Sequence, residues 1–316
     1  MSQAMKDAFA DTMLEVGRHD ERLVVLVGDI SHFALQPFAK ACPGRYYNAG
    51  ILEPTIVSMA AGLANVGLLP VAHTITPFLI ERSYEQIKLD FCYQGLGGTL
   101  ISVGSAFDYS TLGCTHHSYA DMALIGALPG TEIIYPASPQ ELNLLFKQTY
   151  SNGRLTYIRM ARHSHSVALD VGQVRFGKGI LVKEGGDLTI VATGPQLETA
   201  VRSLPLLRDA GIDAEIVYIT TVKPLDEEML RVSAGKTKRV LVIEEHARNG
   251  GLSDAVLRVV CQVSTVKFDS IHIPDVFLRN YGTYEQHCET LGFTPAGVAE
   301  RARQLSGPIR SLVHAT

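Results

Sequence analysis

The sequence predicts an α/β protein built from two parallel-sheet domains, the second the smaller, and three observations predict it. Short β-branched runs alternate with longer stretches of helical periodicity, as in strands joined by crossover helices. The chain has 316 residues, beyond the roughly 250–300 at which one hydrophobic core stops growing. A glycine-rich stretch, DVGQVRFGKGILVKEGGD at 170–187, interrupts the alternation once before it restarts.

The elements follow in order. A charged amphipathic helix pattern occupies the N-terminus, and LVVLVGD (23–29), PVAHTI (70–75), TLISVG (99–104), EIIYP (132–136) and LTYIRM (155–160) read as strands. Residues 54–67, 79–94, 118–127 and 138–150 carry helical periodicity between them. Ser138, Pro139 and Glu141 supply a cap and a first-turn proline for the last of these. The first domain is therefore expected over 1–168, a connector over 169–187 and the second domain over 188–316. There LTIVATG, AEIVYITT, RVLVIEE and VKFDSIHI read as strands, with helices from about 196, 226 and 252 and a last one near 295–306.

Hydrophobic residues make up 46%, charged residues 19%, and the formal net charge is -4. That balance leaves no electrostatic footprint for nucleic acid or an anionic membrane, and it points to a small-molecule or protein partner. Cys42, Cys92, Cys114, Cys261 and Cys288 are widely spaced without a CxxC pair, as expected of reduced thiols. No apolar run approaches the ~18 residues of a membrane span, and the N-terminus lacks an apolar signal core. The expectation is a soluble, cytoplasmic protein.

The chemistry-bearing stretches begin at RYYNAGILEPTIVSMAAGLANVG (45–67), where Glu53 stands between an apolar entry and a helix of small apolar residues. A bare buried carboxylate costs several kcal/mol or takes up a proton. Glu53 therefore caps the helix, where a first-turn acid gains ~0.3–1 kcal/mol, or is held for chemistry. PFLIERSYEQIKLDF (77–91) places Phe78 after a strand and Arg82 on a following helix. LGCTHHSYADMALIGALPG (112–130) puts His116 and His117 on a loop.

In this order the three stretches resemble the pyrimidine-binding domain of the transketolase family of thiamine-diphosphate enzymes. VATGPQLETAVRSLPLLRDAGIDAEIVYITTVKPLDEEML and RVLVIEEHARNGGLSDAV are similar to the family's C-terminal domain. The resemblance implies that Glu53 hydrogen-bonds the cofactor's aminopyrimidine ring, promoting loss of the thiazolium carbon proton. An apolar pocket would favour the protonated acid this needs. It implies that Phe78 stacks on that ring, that Ile75 replaces a family Phe, and that Asp29 lies near the cofactor, although a strand-end Asp is also a common helix cap. His116 matches a substrate-facing histidine able to shuttle protons. His117 stands where the family has Gln, with a solvated loop position as its alternative. Arg159 and Arg162 fall where the family often binds a substrate phosphate or sulfonate, a task that suits guanidinium forks. Surface salt bridges are the competing reading for both. His163 and His165 read as connector residues.

Two departures from the family pattern matter. Full-length transketolases carry a GDG…N motif holding Mg²⁺ and the cofactor diphosphate, whereas Gly28-Asp29 is here followed by Ile30. No metal ligands are therefore expected on this chain. It resembles the C-terminal subunit of a split transketolase, with Mg²⁺ and diphosphate held by an N-terminal partner, two of each chain, and this subunit forming its own dimer. In place of the acidic segment before the family's T-H-Q stands Ser110-Thr111-Leu112-Gly113, which puts ordinary pentose-phosphate specificity in doubt. The expected activity is transfer of a two-carbon ketol unit from a ketose or ketose phosphate to an aldehyde. The alternatives are a 2-oxoacid dehydrogenase beta subunit, a deoxyxylulose-phosphate-synthase-like acyloin condensation, and a non-catalytic scaffold. Thr115-His116-His117 disfavours the first, and joint retention of Glu53, Phe78 and His116 disfavours the last.

Overall fold

The computed structural model describes residues 3–306. Helix α1 (Gln3–His19) precedes strand β1 (Leu23–Val27), α2 (Gln36–Ala41), β2 (Tyr46–Asn48), α3 (Glu53–Asn65) and β3 (Leu69–Ile75). After β3 the chain makes a π-helical turn (Pro77–Glu81), a short helix α4 (Tyr84–Gln86) and a second π-helical turn (Ile87–Cys92). Then come β4 (Gly98–Val103), α5 (Asp121–Gly126), β5 (Thr131–Ile134), α6 (Pro139–Thr149) and β6 (Leu155–Met160). The second half contains β7 (Gly179–Lys183), β8 (Leu188–Ala192), α7 (Gln196–Asp209), β9 (Ala214–Ile219), β10 (Thr221–Lys223), α8 (Glu227–Thr237), β11 (Arg239–Ala247), α9 (Leu252–Val260), β12 (Lys267–Ile273), α10 (Tyr284–Leu291) and α11 (Pro295–Ser306).

The first sheet has the order β10-β5-β6-β4-β3-β1-β2 and the second β12-β11-β8-β9-β7. Every pairing in them is parallel except β10 with β5 and β7 with β9. Strands such as β1, buried at all five positions, are continuous apolar runs because helices cover both faces. Alternation then sorts their side chains. Leu23, Val25 and Val27 face one core with Phe9 and Met13, while Val24 and Leu26 face another with Ile56 and Val57. Both cores run on into the second sheet, through Ile190 in one and Val191 in the other.

Where structure and sequence reading differ, the reasons are local. The connector contains β7, an edge strand of the second sheet. The helix expected at 118–127 starts at Asp121, because Ser118 instead bridges Ala106. The segment expected as one helix over 79–94 is broken into π turns. Strand β10, three residues long, leaves the second half of the chain to join the first sheet. The Ser138 cap forms, accepting from the Glu141 N–H at 3.3 Å. Helix α10 opens on a full capping box between Thr283 and Gln286. No helix among the described residues is long and apolar enough to cross a membrane.

Candidate active site

In open parallel sheets, ligands bind beyond the carboxyl ends of the strands, and the candidate residues follow the ends of β1, β3, β4 and β6. Glu53 opens α3 with only 1% of its surface exposed. Leu52 precedes it without a side-chain cap. The Glu53 carboxylate is not alone: Arg82 Nη1 donates to its Oε2 at 2.8 Å, so the surroundings are not simply apolar as expected. Its second oxygen, Oε1, is buried and has no hydrogen-bond partner.

A run of cation and ring contacts leads away from this pair. The Arg82 guanidinium lies 4.4 Å over the Phe78 ring. Phe78 meets His116 edge-on with 5.2 Å between centroids, and His116 lies 5.7 Å from Tyr109. Arg162 covers the other end, 4.3 Å over Tyr109. Such contacts contribute ~0.5–1 kcal/mol each where exposed and more where desolvated, enough together to hold the side chains in one row. Gly104 permits it: at φ +85 a Cβ there would meet the Tyr109 ring at 2.4 Å. His116 Nδ1 lies 2.9 Å from Thr115 Oγ1, and partial burial lowers its pKa below the ordinary histidine value.

The other expected residues fall elsewhere. Asp29 has a left-handed backbone (φ 55) and caps no helix. Its N–H donates to Asn48 Oδ1 at 3.0 Å, and its own carboxylate accepts from Asn48 Nδ2 at 3.2 Å. Ile75 ends β3 and packs against the larger core. His117 turns inward with 3% exposure, so the solvated-loop alternative does not describe it. Its Nδ1 is 2.8 Å from the Tyr119 hydroxyl and its ring stands edge-on to His287 of α10, 5.9 Å away. Burial, and then His287, push its pKa down to about 4. Arg159 is likewise corrected from a surface anion ligand or surface salt bridge to a core residue with 0% exposure. Its Nε is 2.8 Å from Asp121 Oδ2, it covers Tyr135 at 4.6 Å, and its Nη2 donates to the Glu245 carbonyl at 3.0 Å. His163 and His165 are not connector residues. His163 stacks on Tyr284 with 3.7 Å between centroids, and His165 Nε2 lies 2.6 Å from Glu141 Oε1.

Sequence reasoning did not single out Tyr109 or Asp108, or foresee Arg82 as the partner of Glu53. A cation placed to meet an otherwise isolated buried carboxylate is the one signal the sequence held. Among the described residues no group of three or more His, Cys, Asp or Glu is placed to hold a metal ion.

Comparison with known proteins adds a family frame. The family model of the transketolase pyrimidine-binding domain matches residues 1–166, and that of the transketolase C-terminal domain matches residues 177–298. One of the two subunits of the apulose-4-phosphate transketolase of Phocaeicola vulgatus is 32% identical over 86% of this chain and 88% of its own length. The 6-deoxy-6-sulfo-D-fructose transketolase subunit SqwH of Clostridium sp. (strain MSTE9) is 30% identical over 96% of this chain and 94% of its own. A solved split-gene transketolase, described as an inactive beta4 tetramer, superposes with a TM-score of 0.87 at 31% identity, covering 96% of this chain and 98% of that one.

Proposed function

This chain belongs to the transketolase family, and from that premise we propose that it is the catalytic C-terminal subunit of a two-chain enzyme transferring a two-carbon ketol unit from a ketose, free or phosphorylated, to an aldehyde. The observation that carries the reading is the buried Glu53 carboxylate, with one oxygen on Arg82 and the other without a partner. A buried acceptor left unmatched costs ~1–3 kcal/mol, which a ligand donor or a proton would offset. Thiamine diphosphate fits there, with Glu53 meeting its aminopyrimidine and Phe78 offering a ring face. When bound, it supplies the carbon nucleophile and electron sink that let a bond beside a carbonyl break and re-form.

The chain's own residues do the rest. Glu53 holds a proton or hydrogen bond at the aminopyrimidine nitrogen, and Arg82 fixes the carboxylate's orientation. His116 exchanges protons with the substrate's hydroxyl or carbonyl oxygen. Arg162 faces a substrate anion, with a buried Nε that has no partner in the chain. Mg²⁺ and the diphosphate belong, in this reading, to an N-terminal partner carrying GDG…N, in an assembly of two of each chain with this subunit self-associating. All five cysteines are free, which suits a cytoplasmic enzyme.

Calorimetry with thiamine diphosphate and Mg²⁺ tests the division of labour. The purified chain is expected to show no submicromolar binding and no turnover, with both appearing once the partner is added. Submicromolar, Mg²⁺-dependent binding by this chain alone would overturn the split-site reading. His116 gives a second expectation. Its lowered pKa keeps the imidazole neutral, and able to accept a proton, below the usual histidine range. The acid limb of kcat in the reconstituted enzyme should therefore lie below pH ~6.5, and His116→Asn should lower turnover on every donor and remove that limb. A limb unchanged in the variant would take His116 out of the proton path.

A further inference from the structure

Two buried carboxylates approach one hydroxyl across the boundary between the domains. Asp108, on the loop after β4, accepts three hydrogen bonds at Oδ2: from the Ser105 N–H (2.7 Å), the Ser105 hydroxyl (2.9 Å) and the Arg162 N–H (2.9 Å). Its carbonyl accepts a fourth from Arg162 Nη1 at 3.2 Å. The same Ser105 Oγ lies 3.4 Å from Oε2 of Glu245, on β11. Glu245 and Asp108 are 0% and 3% exposed. One hydroxyl carries one proton, so Ser105 cannot satisfy both carboxylates when both are ionised.

Glu245 is held the other way round at its far oxygen. Oε1 accepts from Gln196 Nε2 at 2.6 Å and from the Tyr284 hydroxyl. A proton on this carboxyl therefore belongs on Oε2, facing Ser105. We propose that Glu245 and Asp108 are positioning residues for Arg162: a proton on Glu245 completes the chain Glu245 to Ser105 to Asp108, and Asp108 sets the loop that presents Arg162 to an anionic group of the substrate. This rests on the reading of Arg162 under the proposed function.

The other groups facing Glu245 agree with a carboxyl near its titration point. Asp108 opposes ionisation, Arg159 on β6 favours it, and Tyr135, Tyr284 and Cys288 remain neutral, the tyrosines and the cysteine with raised pKa values. His163, stacked on Tyr284, lies 3.9 Å from Asp108. Burial first, then Asp108, push the Glu245 pKa up to about 7.

The test measures KM and kcat of the reconstituted complex across pH 6–8.5, with a ketose phosphate and the same ketose unphosphorylated. Each variant is compared with wild type at each pH, so that the phosphate's own titration cancels. In wild type, KM for the phosphorylated donor should rise as pH passes ~7 and Glu245 ionises. Glu245→Gln keeps a permanent donor toward Ser105, because its amide oxygen stays on Gln196 and Tyr284. It should hold KM low and remove this rise. Ser105→Ala cuts the chain and should raise KM for the phosphorylated donor about tenfold at every pH, the scale of one hydrogen bond to a charged group, with kcat and the unphosphorylated donor little changed. Arg162→Met reads the premise separately, since an unchanged KM for the phosphorylated donor there would sink the anion role itself. If Arg162→Met raises that KM while Glu245→Gln keeps the wild-type pH dependence, or Ser105→Ala leaves KM unchanged, the positioning role falls alone.

Discussion

Glu53→Gln in the reconstituted enzyme is expected to lower turnover by ~10²–10⁴-fold, the usual loss when a positioned acid or base is removed, while leaving fold and assembly nearly intact. The amide is isosteric and can still accept from Arg82 at its oxygen. It cannot carry the carboxyl's proton to the cofactor ring. Hydrogen–deuterium exchange at the thiazolium carbon reports the affected step directly. An exchange rate equal to wild type would return Glu53 to a structural role at the start of α3, where its pairing with Arg82 would be its whole purpose.

Arg159→Met should act on stability. The guanidinium is wholly enclosed, paired with Asp121, which also accepts from the Tyr157 hydroxyl at 2.7 Å. Removing one partner of a buried pair strands the other charge, at ~3–5 kcal/mol, which urea denaturation would register as a large fall in midpoint. The double variant Arg159→Met/Asp121→Leu removes both charges and should recover much of the loss, giving strong non-additivity. A single variant as stable as wild type, with a raised KM for phosphorylated donors, would instead restore Arg159 to the substrate.

The positions most legible in the sequence were those where one local rule sufficed. Uninterrupted apolar runs marked β1, β4, β8 and β9, because a strand covered on both faces needs no polar alternation. The stretches around Glu53, Phe78 and His116 were legible as motifs, and the structure brings those three residues into one neighbourhood. Strands β2 and β10 were missed because three residues carry too little pattern, and their pairing is decided by distant chain. Side-chain direction was harder still. His116 and His117 are adjacent on an irregular loop, where neither helical nor strand period says which ring turns inward. Arg159 lies in a strand buried at every position, so alternation could not separate a core arginine from a presented one. The Arg82–Glu53 and Tyr109–Arg162 contacts depend on how the loops beyond β3, β4 and β6 meet, which no local window contains.

Strand β10 has a consequence for how the molecule is made. Thr221 and Lys223 pair with Ile134 and Ile133, so the outer edge of the first sheet stays open until the chain beyond Lys223 has emerged from the ribosome. At ~5–20 residues per second, the interval after β5 emerges is several seconds, during which a bare strand edge is a template for wrong partners. The same pairing means that a fragment cut at 187 retains its first six strands but loses the cover over β5. Expressed alone, that fragment should aggregate more readily than one extended through 223, and light scattering of the two during refolding would compare them.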